Sequence, residues 1–175
     1  ASLAALAGFA SAKPAKYILD SSHSQIVFSY QHLGYSTSYG MFSGFEGEVM
    51  FDQENPAGSS VSVSMPVMSM ITGWEERFQH IMSPDFFGAT DADMVTFAST
   101  GIEVTGDTTA KITGDLSLTG VTKSVVLDAK LNKAAAHPMA EKDWAGFDAT
   151  TMLKRSDFGV DMFAPYVSDE VQVMI

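Results

Sequence analysis

The segment TGWEERFQHIM, residues 72–82, places Arg77 and His80 three residues apart, so on a helix both side chains leave from one face. A guanidinium and an imidazole arranged in this way can meet a phosphate or a carbonyl oxygen. The alternative for Arg77 is an ion pair with a nearby acid such as Asp85. The other histidines, at 23, 32 and 137, lie in separate segments without metal-ligand spacing. His32 falls on the inward face of a predicted strand, as a polar contact to a ligand head group or as a core histidine satisfied by its neighbours. His23 sits in a turn and reads as a structural hydrogen-bonding residue. Arg155 with Asp157, in RSDFG, reads as a tie between a turn and the body of the fold. There is no cysteine, which removes disulfides, thiolate chemistry and thiolate zinc sites. A nucleophile elbow, a P-loop and a dinucleotide fingerprint are all absent from the sequence. No catalytic residue, catalytic cofactor or metal ligand is therefore assigned. A spatial cluster of His32, His80 and a carboxylate acting on a small apolar substrate is the enzymatic alternative.

The elements that must position these residues are mostly strands. In ITGDLSLTGVTKSVVLDAKL, residues 112–131, apolar and polar residues alternate on either side of a turn at Gly120–Lys123. A period of two means that one face of a sheet meets something apolar. Similar alternation runs through Ile26–His32, Phe45–Phe51, Val61–Met65, Val95–Ser99, WAGFDATTML and DEVQVMI. LGYSTSYG and FDQENPAGSS read as connections. The spacing of Trp74, Phe78 and Ile81 predicts a helix, with Thr72 and Glu75 as a capping box. Ser83-Pro84 predicts the start of a second helix. The sum is an all-β chain of about eight short antiparallel strands with one helical insertion, closed as a barrel with its apolar face inside. A transmembrane barrel needs longer strands than these, near seven residues each, and aromatic girdles.

Composition narrows the partners. Of 175 residues 46% are apolar and 18% charged, and 21 acids against 10 bases give a formal charge of −11. No basic run offers a nucleic-acid footprint, and anionic membrane surfaces repel such a chain. Residues 1–12, ASLAALAGFASA, resemble the apolar region and cut site of a secretory signal peptide; an ordinary N-terminal helix or an appended segment is the other reading. The run is too short to span a bilayer, so stable membrane insertion is not expected. Residues 13–175 are expected to form a single barrel domain.

Several residues then match one family in order and spacing. They are Asp20, His23, Ser24, Phe28, His32 and Gly34 in DSSHSQIVFSYQHLG; Gly40, Phe42, Phe45 and Gly47 in GMFSGFEG; Arg77 and His80 before SPDFF; and Thr96 and Phe97. GDLSLTGVTKSV, RSDFGV and SDEVQV complete the set. The chain resembles the YceI-like proteins, a largely periplasmic bacterial family, over roughly residues 16–175. The resemblance implies an eight-stranded lipocalin-like β-barrel that binds a long isoprenoid lipid, such as ubiquinone or a polyprenyl phosphate, for transport or storage in the periplasm of a Gram-negative bacterium. Phe78 and Ile81 depart from the Asp and Leu usual in the family, and DADMVTF lacks a common proline.

Periodicity alone describes a solid core, and with it an interaction module; the resemblance implies a cavity. The expected lining is Phe28, Tyr30, His32, Phe45, Gly47, Phe51, Val63, Met65, Ile112, Gly114, Leu116, Leu127 and Phe147. Gly47, Gly114 and Ala129 are expected to leave room inside, and Met68, Met70 and Met82 to supply an adaptable lining. Trp74, Arg77, Phe78 and Ile81 are expected at the mouth, with the head group. A homodimer is compatible with the sequence.

Overall fold

The structure is a computed structural model that describes residues 13–175; the predicted signal-like segment, residues 1–12, lies outside them. Ten strands are present rather than about eight. They are β1 (Ala15–Ile18), β2 (Ile26–His32), β3 (Ser36–Phe42), β4 (Glu46–Phe51), β5 (Ser60–Pro66), β6 (Met94–Val104), β7 (Thr109–Leu118), β8 (Val121–Ala136), β9 (Asp143–Lys154) and β10 (Glu170–Met174). One helix, α1 (Glu75–Met82), lies between β5 and β6.

The two additional strands are β1 and β3. β3 has the Ser/Tyr/Gly composition of a loop, and it is a strand because every residue from Ser36 to Phe42 pairs with β2. The turn between them sits at Leu33 and Gly34, both at positive φ, which lets the hairpin close tightly. The β7–β8 turn is likewise made by Thr119 and Gly120, not by Gly120–Lys123. Four strands are also longer than expected, with 11, 10, 16 and 12 residues in β6 to β9. Their outward faces carry polar pairs such as Lys111–Asp128 at 2.6 Å and Ser117–Thr122 at 2.6 Å.

All ten strands form one antiparallel sheet in the order β1-β4-β5-β6-β7-β8-β9-β10-β2-β3. β3 and β4 stand near opposite ends of that order, yet only residues 43–45 separate them in the chain. The sheet must therefore curl until its ends meet. No ladder joins β3 to β1 or β4 among the described residues, so the result is a half-barrel with a seam. The seam is crossed by the segment after β5, where Met41 and Ile71 exchange backbone hydrogen bonds of 3.0 and 2.8 Å. β1 is short and carries Lys16, ion-paired with Glu48, and short charged edges resist adding further strands.

α1 covers one end of the half-barrel. Phe42, Phe45, Met65, Val67, Met70, Met82 and Val95 form the buried cluster beneath it, with Phe78 and Ile81 packed against them. The predicted capping box is not formed: Trp74 takes the cap position, and Thr72 Oγ1 donates to the Trp74 carbonyl at 2.8 Å. The second helix is absent too. Ser83 Oγ donates to the His80 carbonyl, closing α1 at its C-terminus, and residues 84–87 are a turn.

The inward glycines do not leave room. A Cβ on Gly114 would run into the ring of Phe97 and lie 2.6 Å from the Ala98 carbonyl oxygen, so the space belongs to that aromatic side chain. At Gly47 the neighbouring strand closes in, with the Ser62 carbonyl oxygen where a Cβ would stand. Replacing Gly114 by Ala is expected to destabilise the fold by about 1–3 kcal/mol, the usual cost of overpacking. Urea unfolding of G114A should show a lower midpoint at an unchanged slope.

Candidate functional site

The inside of the curl holds a cavity of about 1520 Å³, larger than the roughly 300–1,000 Å³ of common ligand pockets. Alternation within each strand builds its wall. Phe28, Tyr30 and His32 come from β2, Phe45 from the connection just before β4, Phe51 from the end of β4, and Val63 and Met65 from β5. Ile112 and Leu116 from β7, Leu127 from β8 and Phe147 from β9 continue it. Trp74, Arg77 and Ile81 reach it from the α1 segment. Five residues expected to line it do not: Gly47, Gly114 and Phe78, and also Met68 and Met82, which belong to the buried cluster beneath α1 and its packing. Gly47 and Gly114 are screened by their neighbours, and Phe78 turns into the core beneath α1. Ala129 does line the cavity, as do Phe97, Ile102, Leu153, Val171 and Val173. None of the last five was named as lining from the sequence, although a period of two in β9 and β10 points to Leu153, Val171 and Val173. Ile102 is out of phase with Phe97 because β6 bulges between Ser99 and Gly101.

The end beside α1 carries Arg77, His80 and His32, while Lys16, Asp107, Lys142 and Asp143 line the other rim. Arg77 lies over the Trp74 ring, 5.8 Å from its centroid, and donates from Nη1 to the Thr72 carbonyl at 3.4 Å. Among the described residues no carboxylate reaches ion-pair distance of Arg77; Asp85 faces His80 instead, at 3.7 Å. The His80 ring packs edge-on to Phe86 and Phe163, with centroids 5.0 and 6.1 Å away. His32 ends β2 exposed to solvent, so it is not a core histidine. Its backbone bridges to Val167, while Ser36 and Ser38 of β3 add hydroxyls to the lining.

Two histidine clusters look chemical in their residue types and are structural in their geometry. Asp20, Ser22 and His23 touch one another, but both contacts to His23 fall on Nδ1, from Asp20 at 2.7 Å and Ser22 at 3.0 Å. A relay requires the acid and the nucleophile on opposite ring nitrogens, so this is a hydrogen-bonded turn. His137 accepts backbone N–H groups of Met139 and Ala140 at Nδ1 and stacks on Trp144. Among the described residues no group of three His, Asp or Glu side chains is placed to hold a metal ion.

The chain matches the YceI-like domain over residues 17–175. It belongs to the YceI-like family. It is 41% identical over 175 residues to Protein YceI of Shigella flexneri, covering 100% of this chain and 91% of that protein. A UPF0312 protein of Ectopseudomonas mendocina is 40% identical over 166 residues, covering 94% and 86%. Among solved structures, the Campylobacter jejuni YceI protein superimposes with a TM-score of 0.74 at 29% identity, over 91% of this chain and 94% of that one. A polyisoprenoid-binding domain from Saccharophagus degradans shares the fold alone, with a TM-score of 0.67 at 15% identity over 93% and 95% of the two chains.

In this YceI-like chain the RSDFGV segment is a strap. Arg155 Nε donates to the Ser168 carbonyl at 2.8 Å, and its terminal nitrogens donate to the carbonyls of Val160, Met162 and Val167 at 2.6–2.9 Å. Burial lowers the Arg155 pKa below the ordinary arginine value, and the charges of Asp169 and Asp161 oppose that shift. The acid that secures the strap is Asp169 rather than Asp157. Asp169 accepts from the Ser156 N–H at 2.8 Å and from Ser156 Oγ at 2.7 Å.

Arg155→Ala leaves four carbonyls without their donor and is expected to cost about 3 kcal/mol or more. R155K should restore only part of this in thermal unfolding, since an ammonium cannot reproduce the guanidinium fork. The Ser156 hydroxyl holds the Asp169 carboxyl below the ordinary value of 3.8. A depressed carboxylate pKa contributes stability that is present above the unfolded value and is lost as pH falls through the folded one. The wild-type melting temperature should therefore fall as pH drops below about 4, and D169N should flatten that part of the profile.

Proposed function

We propose that this protein binds a long-chain isoprenoid lipid in the cavity and carries or stores it in the periplasm. The observation that carries the reading is the wall itself. An apolar lining runs from α1 to the far hairpins; Arg77 and His80 stand beside α1, and the charged residues of the other end, Lys16, Asp107, Lys142 and Asp143, ring its rim. That division matches a ligand with a long apolar tail and one compact polar head. The printed description of the Saccharophagus degradans domain, which shares this fold, supports the same ligand class.

Tail burial supplies the affinity, at about 25 cal/mol per Å² before the costs of binding are subtracted. The chain has neither a thiol nor, among the described residues, a clustered metal site. A carrier needs no covalent step. The head lies beside Trp74, Arg77 and His80, where Arg77 has no carboxylate partner to displace among the described residues. An isoprenoid quinone such as ubiquinone and a polyprenyl phosphate are the two head-group classes that fit.

Mass spectrometry of an organic extract from natively purified protein tests the proposal. A stoichiometric prenyl lipid is expected, and its mass gives head group and chain length together. Its absence, with no uptake of added prenyl lipid, overturns the reading. Arg77→Ala is expected to weaken a polyprenyl phosphate by about tenfold or more, some 1.4 kcal/mol, and ubiquinone much less. Equal loss for both removes Arg77 from the head-group site.

A further inference from the structure

At the end of the cavity away from α1, two aromatic rings meet across the half-barrel. Phe51 ends β4 and Phe147 lies early in β9; their centroids are 5.3 Å apart with the planes at 89°, an edge-to-face contact. β4 and β9 are five places apart in the ten-strand order, so these strands face each other across the interior and are not neighbours. Tyr17 of β1 extends the row, its ring 6.2 Å from that of Phe51. Edge-to-face pairing at this distance is a favourable aromatic arrangement.

Local backbone geometry aims Phe147 inward. β8 bulges between Leu131 and Lys133, directly beside the Leu131–Phe147 and Lys133–Gly146 pairs. A bulge bends its strand and redirects the side chains around it. Phe51 is buried, whereas Phe147 is 40% exposed, so the row has a solvent side and a cavity side. On the cavity side the next pair along β8 and β9 is Ala129 with Ala149, both lining the space. Small side chains thus lie directly inside a row of large ones.

We infer that Phe51 and Phe147 form a stop that sets the longest apolar chain the cavity accepts. This rests on the cavity being a lipid site with its polar end beside α1. A chain entering from α1 runs along the wall until it reaches the crossed rings; beyond them the space opens to solvent among Gln53, Asp107, Lys142 and Asp143, so further isoprene units gain no apolar wall. Affinity then rises with chain length up to a cutoff and not beyond it.

The test uses ubiquinones that share one head group and differ in the number of isoprene units, offered in competition to the full chain and read by native mass spectrometry. Wild type is expected to show a length above which binding no longer improves. Phe147→Ala and Phe51→Ala should each move that length upward by at least one isoprene unit, because either truncation opens the row. Ala149→Phe, which fills the space inside it, should move the length downward. Circular dichroism establishes that each variant is folded, and A149F tests the stop from the opposite direction should a truncation fail to fold. An unchanged cutoff in the folded variants overturns the stop, as does a wild type whose affinity keeps rising along the series. A wild type that takes up no ubiquinone or polyprenyl phosphate of any length defeats the lipid reading itself, an outcome distinct from the other two.

Discussion

The fold depends on a constraint of chain length. β3 and β4 take up positions near opposite ends of a ten-strand order, and residues 43–45 alone connect them. Strands twist relative to their neighbours, so a sheet of this width curls readily, and the short connection dictates how far. Curling brings the apolar face of every strand to the inside. The cavity is what remains when the rings and aliphatic chains on that face do not reach the centre.

A curled sheet that is not fully hydrogen-bonded needs its seam held. Three devices do this with different physics. The Met41–Ile71 backbone pair fixes the segment after β5 against β3. The cluster around Phe45, Met65 and Val95 buries the inner face of α1. The Arg155 guanidinium gathers the carbonyls of residues 160–168 and so holds the strap beside β2, where Leu33 donates to the Tyr166 carbonyl. A charge that is partly desolvated is tolerated there because nearly all its donors are used. The same saturation takes Arg155 out of ligand chemistry, although its side chain reaches the cavity wall, and leaves Arg77 as the cation with donors to spare at that end.

Much of the wall was legible in the sequence. Ile112, Leu116, Leu127, Phe28 and Val63 stand where a period of two puts them, since alternation is a property of the extended backbone and needs no partner to be read. β3 was hidden because Ser, Tyr and Gly form a strand there only by pairing with β2. Thr72 has the residue type for a cap, yet its hydroxyl serves the Trp74 carbonyl, a choice made by the chain entering from the Met41–Ile71 pair. Gly114 was misread for a related reason: its empty volume is filled by Phe97 on the neighbouring strand, and single-strand patterns carry no information about cross-strand occupancy.

The sequence by itself determined which face is apolar in the strands it revealed, that a helical segment interrupts them, and that an acidic, cysteine-free chain has no basic footprint for nucleic acid. The YceI-like motifs were equally readable, being local runs of residues. Only the tertiary structure decided the number of strands, the seam, the partner of Asp85 and the meeting of Phe51 with Phe147. The physical reason is the range of the information. A face is set by two successive residues, whereas a distance across the interior is the sum of pairing, register and twist over half of the sheet.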